Sequence, residues 1–146
     1  MKISYKTFFN LIAITAIGTF SSVGVAKDIK PIKFTQGSVV GTASGQIPSG
    51  KQDTWYQFKA QKGQYAVINL LPKAGSPETA NVGVLYMPSK QQNGGKGGIV
   101  YQGCLPDDGN YKLRIARNLM ATENKNAGYQ VEVVILPQYA SKELCN

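Results

Sequence analysis

The sequence predicts an all-β fold, an antiparallel β-sandwich of about seven or eight strands following a helical signal peptide. Three observations carry that expectation. Apolar and polar residues alternate with a period of two in run after run beyond residue 27. Gly, Pro, Asp and Asn punctuate those runs where the backbone must reverse. No stretch of useful length after residue 27 shows the 3.6-residue period of an amphipathic helix.

The amino-terminal segment comes first. Lys2 and Lys6 precede an uncharged, mostly apolar run, Phe8 to Phe20, and small residues follow up to Gly24-Val25-Ala26. This is the pattern of a secretory signal over residues 1–26, with cleavage expected before Lys27. The run is shorter than the ~20 apolar residues a membrane span needs, and Asn10 and Thr15 interrupt it. No Cys sits at the cleavage site to carry a lipid, and no later segment is apolar enough to span. The expected mature protein is therefore one sandwich domain, residues 27–146, without a membrane span, periplasmic or secreted.

Along that domain Ile32-Lys33-Phe34 reads as a short opening strand and Ser38–Ile47 as a Gly- and Ser-rich edge strand. In the next run Tyr56, Phe58 and Ala60 share a face. In Gln64–Leu71 both faces are apolar: Tyr65, Val67 and Leu71 on one, Ala66, Ile68 and Leu70 on the other. Val82, Val84 and Tyr86 share a face of Asn81–Met87. Two clean half-buried patterns follow, Tyr111-Leu113-Ile115 and Tyr129-Val131-Val133-Ile135. Met87–Gly98, with Gly94-Gly95 and Gly97-Gly98, reads as a flexible loop. The expected core is Tyr56, Phe58, Val67, Leu113, Ile115, Val131 and Val133.

The composition excludes much chemistry. There is no His, which removes Ser-His-Asp and Cys-His catalysis and the commonest zinc ligand. The 2 cysteines, Cys104 and Cys145, read as a disulfide in an exported chain, the alternative being free thiols or an intermolecular bridge. The 8 acids lie at turns, termini or exposed strand positions, and Asp107-Asp108 is explained by its turn, so neither an enzyme nor a metal site is expected. Gly94–Gly98 neither follows a strand nor opens a helix as a phosphate cradle would, so no cofactor is expected. The formal net charge is +8, carried mostly by Lys; Arg114 and Arg117 are the only arginines. That charge favours acidic partners, but no Arg-rich or aromatic-interleaved stripe points to nucleic acid.

Several motifs occur in an order that resembles a known pattern. They are Phe34-x-x-Gly37, Gly45-x-Ile47, Asp53-x-x-Tyr56-x-Phe58-x-Ala60-x-x-Gly63-Gln64, Leu105-Pro106-x-x-Gly109-x-Tyr111-x-Leu113-Arg114-Ile115 and Tyr129-x-Val131-x-Val133. Over about residues 30–136 the chain resembles the bacterial pre-peptidase C-terminal-like β-sandwich. More closely, it resembles the periplasmic inhibitors of goose-type lysozyme. The resemblance implies a protein-binding domain whose loop after the Leu-Arg-Ile strand carries arginine into a lysozyme cleft. Here that loop is 117–126. Arg117-Asn118 matches the first arginine of the family pattern, and Thr122 stands where the second is expected. An early-turn Tyr is replaced by Gly50-Lys51-Gln52. The resemblance thus implies a lysozyme-like protein partner bound by Arg117, Asn118, Thr122, Lys125 and Lys51. In that reading the Arg117 guanidinium pairs with an acid in the cleft, and Leu119 and Met120 anchor the base of the loop. Two other classes compete: a sugar- or wall-binding accessory module using exposed aromatics such as Trp55, Tyr86 or Tyr101, and a structural envelope factor.

Overall fold

A computed structural model describes residues 27–146; the expected signal segment, 1–26, lies outside the described residues. The strands in chain order are β1 (Ile29–Pro31), β2 (Lys33–Phe34), β3 (Val40–Ile47), β4 (Asp53–Ala60), β5 (Tyr65–Leu71), β6 (Glu78–Thr79), β7 (Val82–Tyr86), β8 (Gln92–Lys96), β9 (Gly98–Cys104), β10 (Gly109–Ala116) and β11 (Ala127–Ile135), followed by one short helix, α1 (Gln138–Ser141). One sheet runs β1-β4-β10-β7-β8, the other β2-β3-β11-β5-β9, with β6 beside β11. Pairing is antiparallel except for the short parallel contacts β1–β4 and β6–β11. This is the expected sandwich. The strand number exceeds expectation because β1 and β6 are too short to show a period, and because the Gly-rich segment is not a loop. Residues 92–96 form β8 against β7, from Val82↔Lys96 to Tyr86↔Gln92. Backbone hydrogen bonds alone hold that pairing, so no side-chain alternation announces it. No helix among the described residues is long and apolar enough to cross a membrane.

The core lies between the sheets. Tyr56, Phe58, Leu113, Ile115, Val131 and Val133 are buried there as expected. Each aliphatic side chain so placed contributes about 1.5–3 kcal/mol relative to an exposed position. Val67 is the exception: it is half-buried on the outer face. With both faces of β5 apolar, its own pattern could not choose. Pairing with β11 decides, because Val131 and Val133 stand opposite Leu70 and Ile68 and share their inward face.

Two tyrosine arrangements explain the motifs. The Tyr56 and Tyr129 hydroxyls meet 2.7 Å apart, joining the sheets through the core. Burial first, then the Tyr129 hydrogen bond and its charge, push the Tyr56 phenol above its ordinary value. Gly45 makes room for this pair, since a Cβ there would lie 2.5 Å from the Tyr129 oxygen. In the Leu-Pro-x-x-Gly-x-Tyr motif, the Tyr111 hydroxyl donates to the Asp107 carbonyl (2.7 Å) and accepts from the Asp107 amide (3.0 Å). This is a tyrosine corner. Gly109 turns it with φ +131°, where a side chain would be strained.

The tail returns to the sandwich. Cys104 and Cys145 are joined in a disulfide, 41 residues apart. The fully buried Ser141 hydroxyl accepts from the Tyr65 amide at 2.8 Å and lies 2.9 Å from the Pro137 carbonyl.

Candidate functional site

Three connections between the sheets converge at one end of the sandwich: 48–52 between β3 and β4, 72–81 between β5 and β7, and 117–126 between β10 and β11. Arg117 sits among them. It directly follows β10, whose inward residues are Tyr111, Leu113 and Ile115, and the period of two carries Arg117 inward as well. Only 4% of it is exposed. All five guanidinium N–H donors are used. Nε donates to the Lys51 carbonyl (2.7 Å), and Nη2 to the carbonyls of Ile47 (2.7 Å) and Pro48 (2.6 Å). Nη1 donates to Glu78 (3.0 Å) and to the Lys125 carbonyl. A buried guanidinium needs this full set of partners to offset its lost hydration.

Glu78, on β6, is the second half of the hub. One carboxylate oxygen accepts from Arg117 and from the Thr122 hydroxyl (2.7 Å); the other accepts from the amides of Glu123 (2.6 Å) and Lys125 (3.2 Å). The Thr122 hydrogen bond, then the Lys125 and Glu123 amides and the Arg117 charge, hold this carboxyl below its ordinary value against the opposing effect of desolvation. The side chains of Asn124 and Asn126 close the suture by accepting from the amides of Gly50 (2.8 Å) and Ser49 (3.1 Å). A polar loop with no periodicity is thereby held in one conformation.

The expected site residues are brought to one end but divide into two groups. Arg117 does not project from the loop: its charge is spent inside the protein, so a guanidinium aimed into a partner's cleft is corrected to a buried staple. Thr122 faces inward onto Glu78. Asn118 is half-buried, its side-chain oxygen accepting from the Met120 amide at 3.2 Å. Lys51 and Lys125 have exposed side chains, and Lys125 reaches Glu123 in solvent. The tip consists of Leu119 and Met120, which are 60% and 93% exposed. They crown the loop rather than anchor its base, because the hub already occupies the base. A cleft of about 340 Å³ lies beneath, lined by Glu78, Asn81, Asn118 and Thr122 among others. Sequence reading missed Glu78, whose two-residue strand has no pattern of its own; the inward position of Arg117 was readable from the alternation that precedes it.

The aromatics divide as well. Trp55 and Tyr86 meet on the outer face of the β4–β10–β7 sheet with ring centroids 5.2 Å apart. Tyr101 is buried, its hydroxyl donating to the Cys104 carbonyl at 2.8 Å, so it is not part of a surface platform.

The fold and the stapled end define a β-sandwich whose 117–126 loop is tied by hydrogen bonds to the neighbouring crossings. No family model matches the chain, and no curated protein matches it in sequence. Solved structures do match in fold. PliG of Aeromonas hydrophila, a periplasmic inhibitor of g-type lysozyme, is similar with a TM-score of 0.59 at 19% identity, covering 76% of this chain and 100% of that one. PliG of Salmonella Typhimurium, of the same description, gives 0.58 at 23% identity, over 76% and 99%. The pre-peptidase C-terminal domain of a Bacillus anthracis collagenase gives 0.54 at 17% identity, over 75% and 98%.

Proposed function

We propose that this chain is an exported, non-catalytic protein-binding domain that inhibits a g-type lysozyme or a related lysozyme-like enzyme with its 117–126 loop. The observation that carries the reading is a rigid loop with an apolar tip, Leu119-Met120, left in solvent. Apolar side chains on a preorganised loop lose little entropy on binding and gain from desolvation. The shared fold with the PliG inhibitors and the likeness of the motifs support the choice of partner. In this reading Arg117 is a positioning residue. Met120 and Leu119 enter the partner's cleft, Asn118 and Thr122 shape the flank, and Lys51 and Lys125 steer an acidic partner from the rim. Periplasmic or secreted placement follows from the expected signal over 1–26.

Purified protein should inhibit lysis by at least one lysozyme class, the g-type first. Met120→Asp should weaken that inhibition by about tenfold or more while leaving the thermal midpoint unchanged, because the side chain touches nothing in the free protein. Absence of inhibition of g-type, chicken-type and invertebrate-type lysozymes at large molar excess ends the proposal.

A further inference from the structure

A second surface lies away from the stapled end. On the outer face of the β1-β4-β10-β7-β8 sheet, Trp55 and Tyr86 wall a groove of about 510 Å³. Its register is simple: Lys112 on β10 stands beside Tyr86 on β7, which stands beside Gln92 on β8. Lys90 and Asn110 also line it. Lys59 pairs with Asn110 on the neighbouring strand and is exposed on the same face. No carboxylate among the described residues lines the groove. Asp53 is bound to Arg114 at 2.7 Å, and Asp107 accepts from the Ser89 amide at 3.2 Å. Trp55 is also a wall of a second cleft of about 310 Å³, which holds Lys27, Lys30 and Lys51 together with Asp28 and Asp53. Lys27 Nζ lies 4.2 Å from the centre of the indole ring. Trp55 therefore joins two clefts into one track across the strands.

We infer that the Trp55–Tyr86 groove is a binding site for an anionic polysaccharide, distinct from the loop surface, which meets the second cleft only at Lys51. The Trp55 and Tyr86 rings, tilted 39° to each other, offer an apolar wall for the C–H faces of sugar rings. Gln92 and Asn110 supply the donors and acceptors that hydroxyls require. Lys90 and Lys112 in a lining without a carboxylate, and Lys59 exposed on the same face, attract a carboxylate or sulfate repeated along a chain. A neutral glycan leaves those charges unused, and an acidic peptide leaves the aromatic bed and amides without their complement. The groove thus selects sugar and negative charge together.

Trp55 is the only tryptophan, so its emission reports on this site alone. The intact protein should show a saturable change in Trp55 emission on titration with oligogalacturonate, with heparin, or with both, which separates carboxylated from sulfated chains. Neutral dextran and poly-glutamate should leave it unchanged. Added salt should weaken the response. The double variant Lys90→Gln, Lys112→Gln should lower affinity about tenfold or more, and Tyr86→Leu should lower it with the lysines intact. Neither should alter lysozyme inhibition, which distinguishes this site from the loop. No response to either anionic glycan, an equal response to poly-glutamate, or full binding by the lysine variant would each overturn the inference. The poly-glutamate result would mark the face as a site for acidic proteins.

Discussion

The two ends of the sandwich solve one problem in different ways. At each end the chain crosses from sheet to sheet, and the crossing segments must be tied to one another. At the end carrying 61–64 and 105–108, the backbone does much of this directly. Gly63 donates to the Leu105 carbonyl and Leu105 to the Gln64 carbonyl, both at 2.8 Å. The Cys104–Cys145 bridge and buried Ser141 then bind the tail alongside. At the other end the crossing segments expose carbonyls toward one another, and a single buried cation collects them. A charge in a loop is not thereby a surface charge. Four carbonyls and one carboxylate around Arg117 form a site that only a planar five-donor group satisfies.

Breaking the electrostatic end should have the largest effect. Arg117→Ala leaves those carbonyls and Glu78 without a partner and should cost about 3 kcal/mol or more, measured by urea unfolding. Arg117→Lys should recover little, since an ammonium cannot reach the set from one position. If Arg117→Ala is as stable as the parent, the hub is not structural and the guanidinium is free for a partner.

The covalent end should yield somewhat less. Replacing Cys104 and Cys145 together by Ser should cost about 2–4 kcal/mol on the chain-entropy account. The loss should appear first as faster exchange of the Tyr65 amide, because the α1 tail that supplies Ser141 is released. Unchanged protection of that amide would show that Ser141 and its neighbours hold the tail without the bridge.

The smallest effect sharpens the contrast through pH. The Glu78 carboxyl is held below its ordinary value, about 4.3 when unperturbed. A lowered folded value means that its contribution is complete above the unfolded value and disappears as pH falls through the folded one. Hydrogen exchange at the Glu123 and Lys125 amides, which donate to this carboxylate, should accelerate once pH falls below the ordinary carboxyl range, ahead of global unfolding. Glu78→Gln should remove that acid step. At the disulfide end the Tyr65 amide donates to the Ser141 hydroxyl, which does not titrate in this range, and should keep its protection.

Legibility followed the same division. β10 and β11 were readable because each is buried on one face, so Leu113, Ile115, Val131 and Val133 leave a period of two. β5 was readable as a strand but not in its register, since both its faces are apolar. β8 was unreadable: a strand made of Gln-Asn-Gly-Gly-Lys pairs through backbone groups common to every residue. At the candidate site, the motif pointed to the 117–126 loop, while the guanidinium of Arg117 turns inward instead of outward and Glu78 was missed.

What the sequence by itself determined is the class of fold, the pairing open to its two cysteines and the absence of histidine. Each follows from local pattern or from counting residue types. Tertiary structure alone decided which groups receive the Arg117 guanidinium, that Leu119 and Met120 form the tip, and that Trp55 and Tyr86 share a groove with Lys90 and Lys112. Those facts depend on groups 30 to 70 residues away, such as Glu78 and Ile47 around Arg117. A side chain's charge is written in its own chemistry, but whether water or protein receives it depends on what the rest of the chain brings beside it.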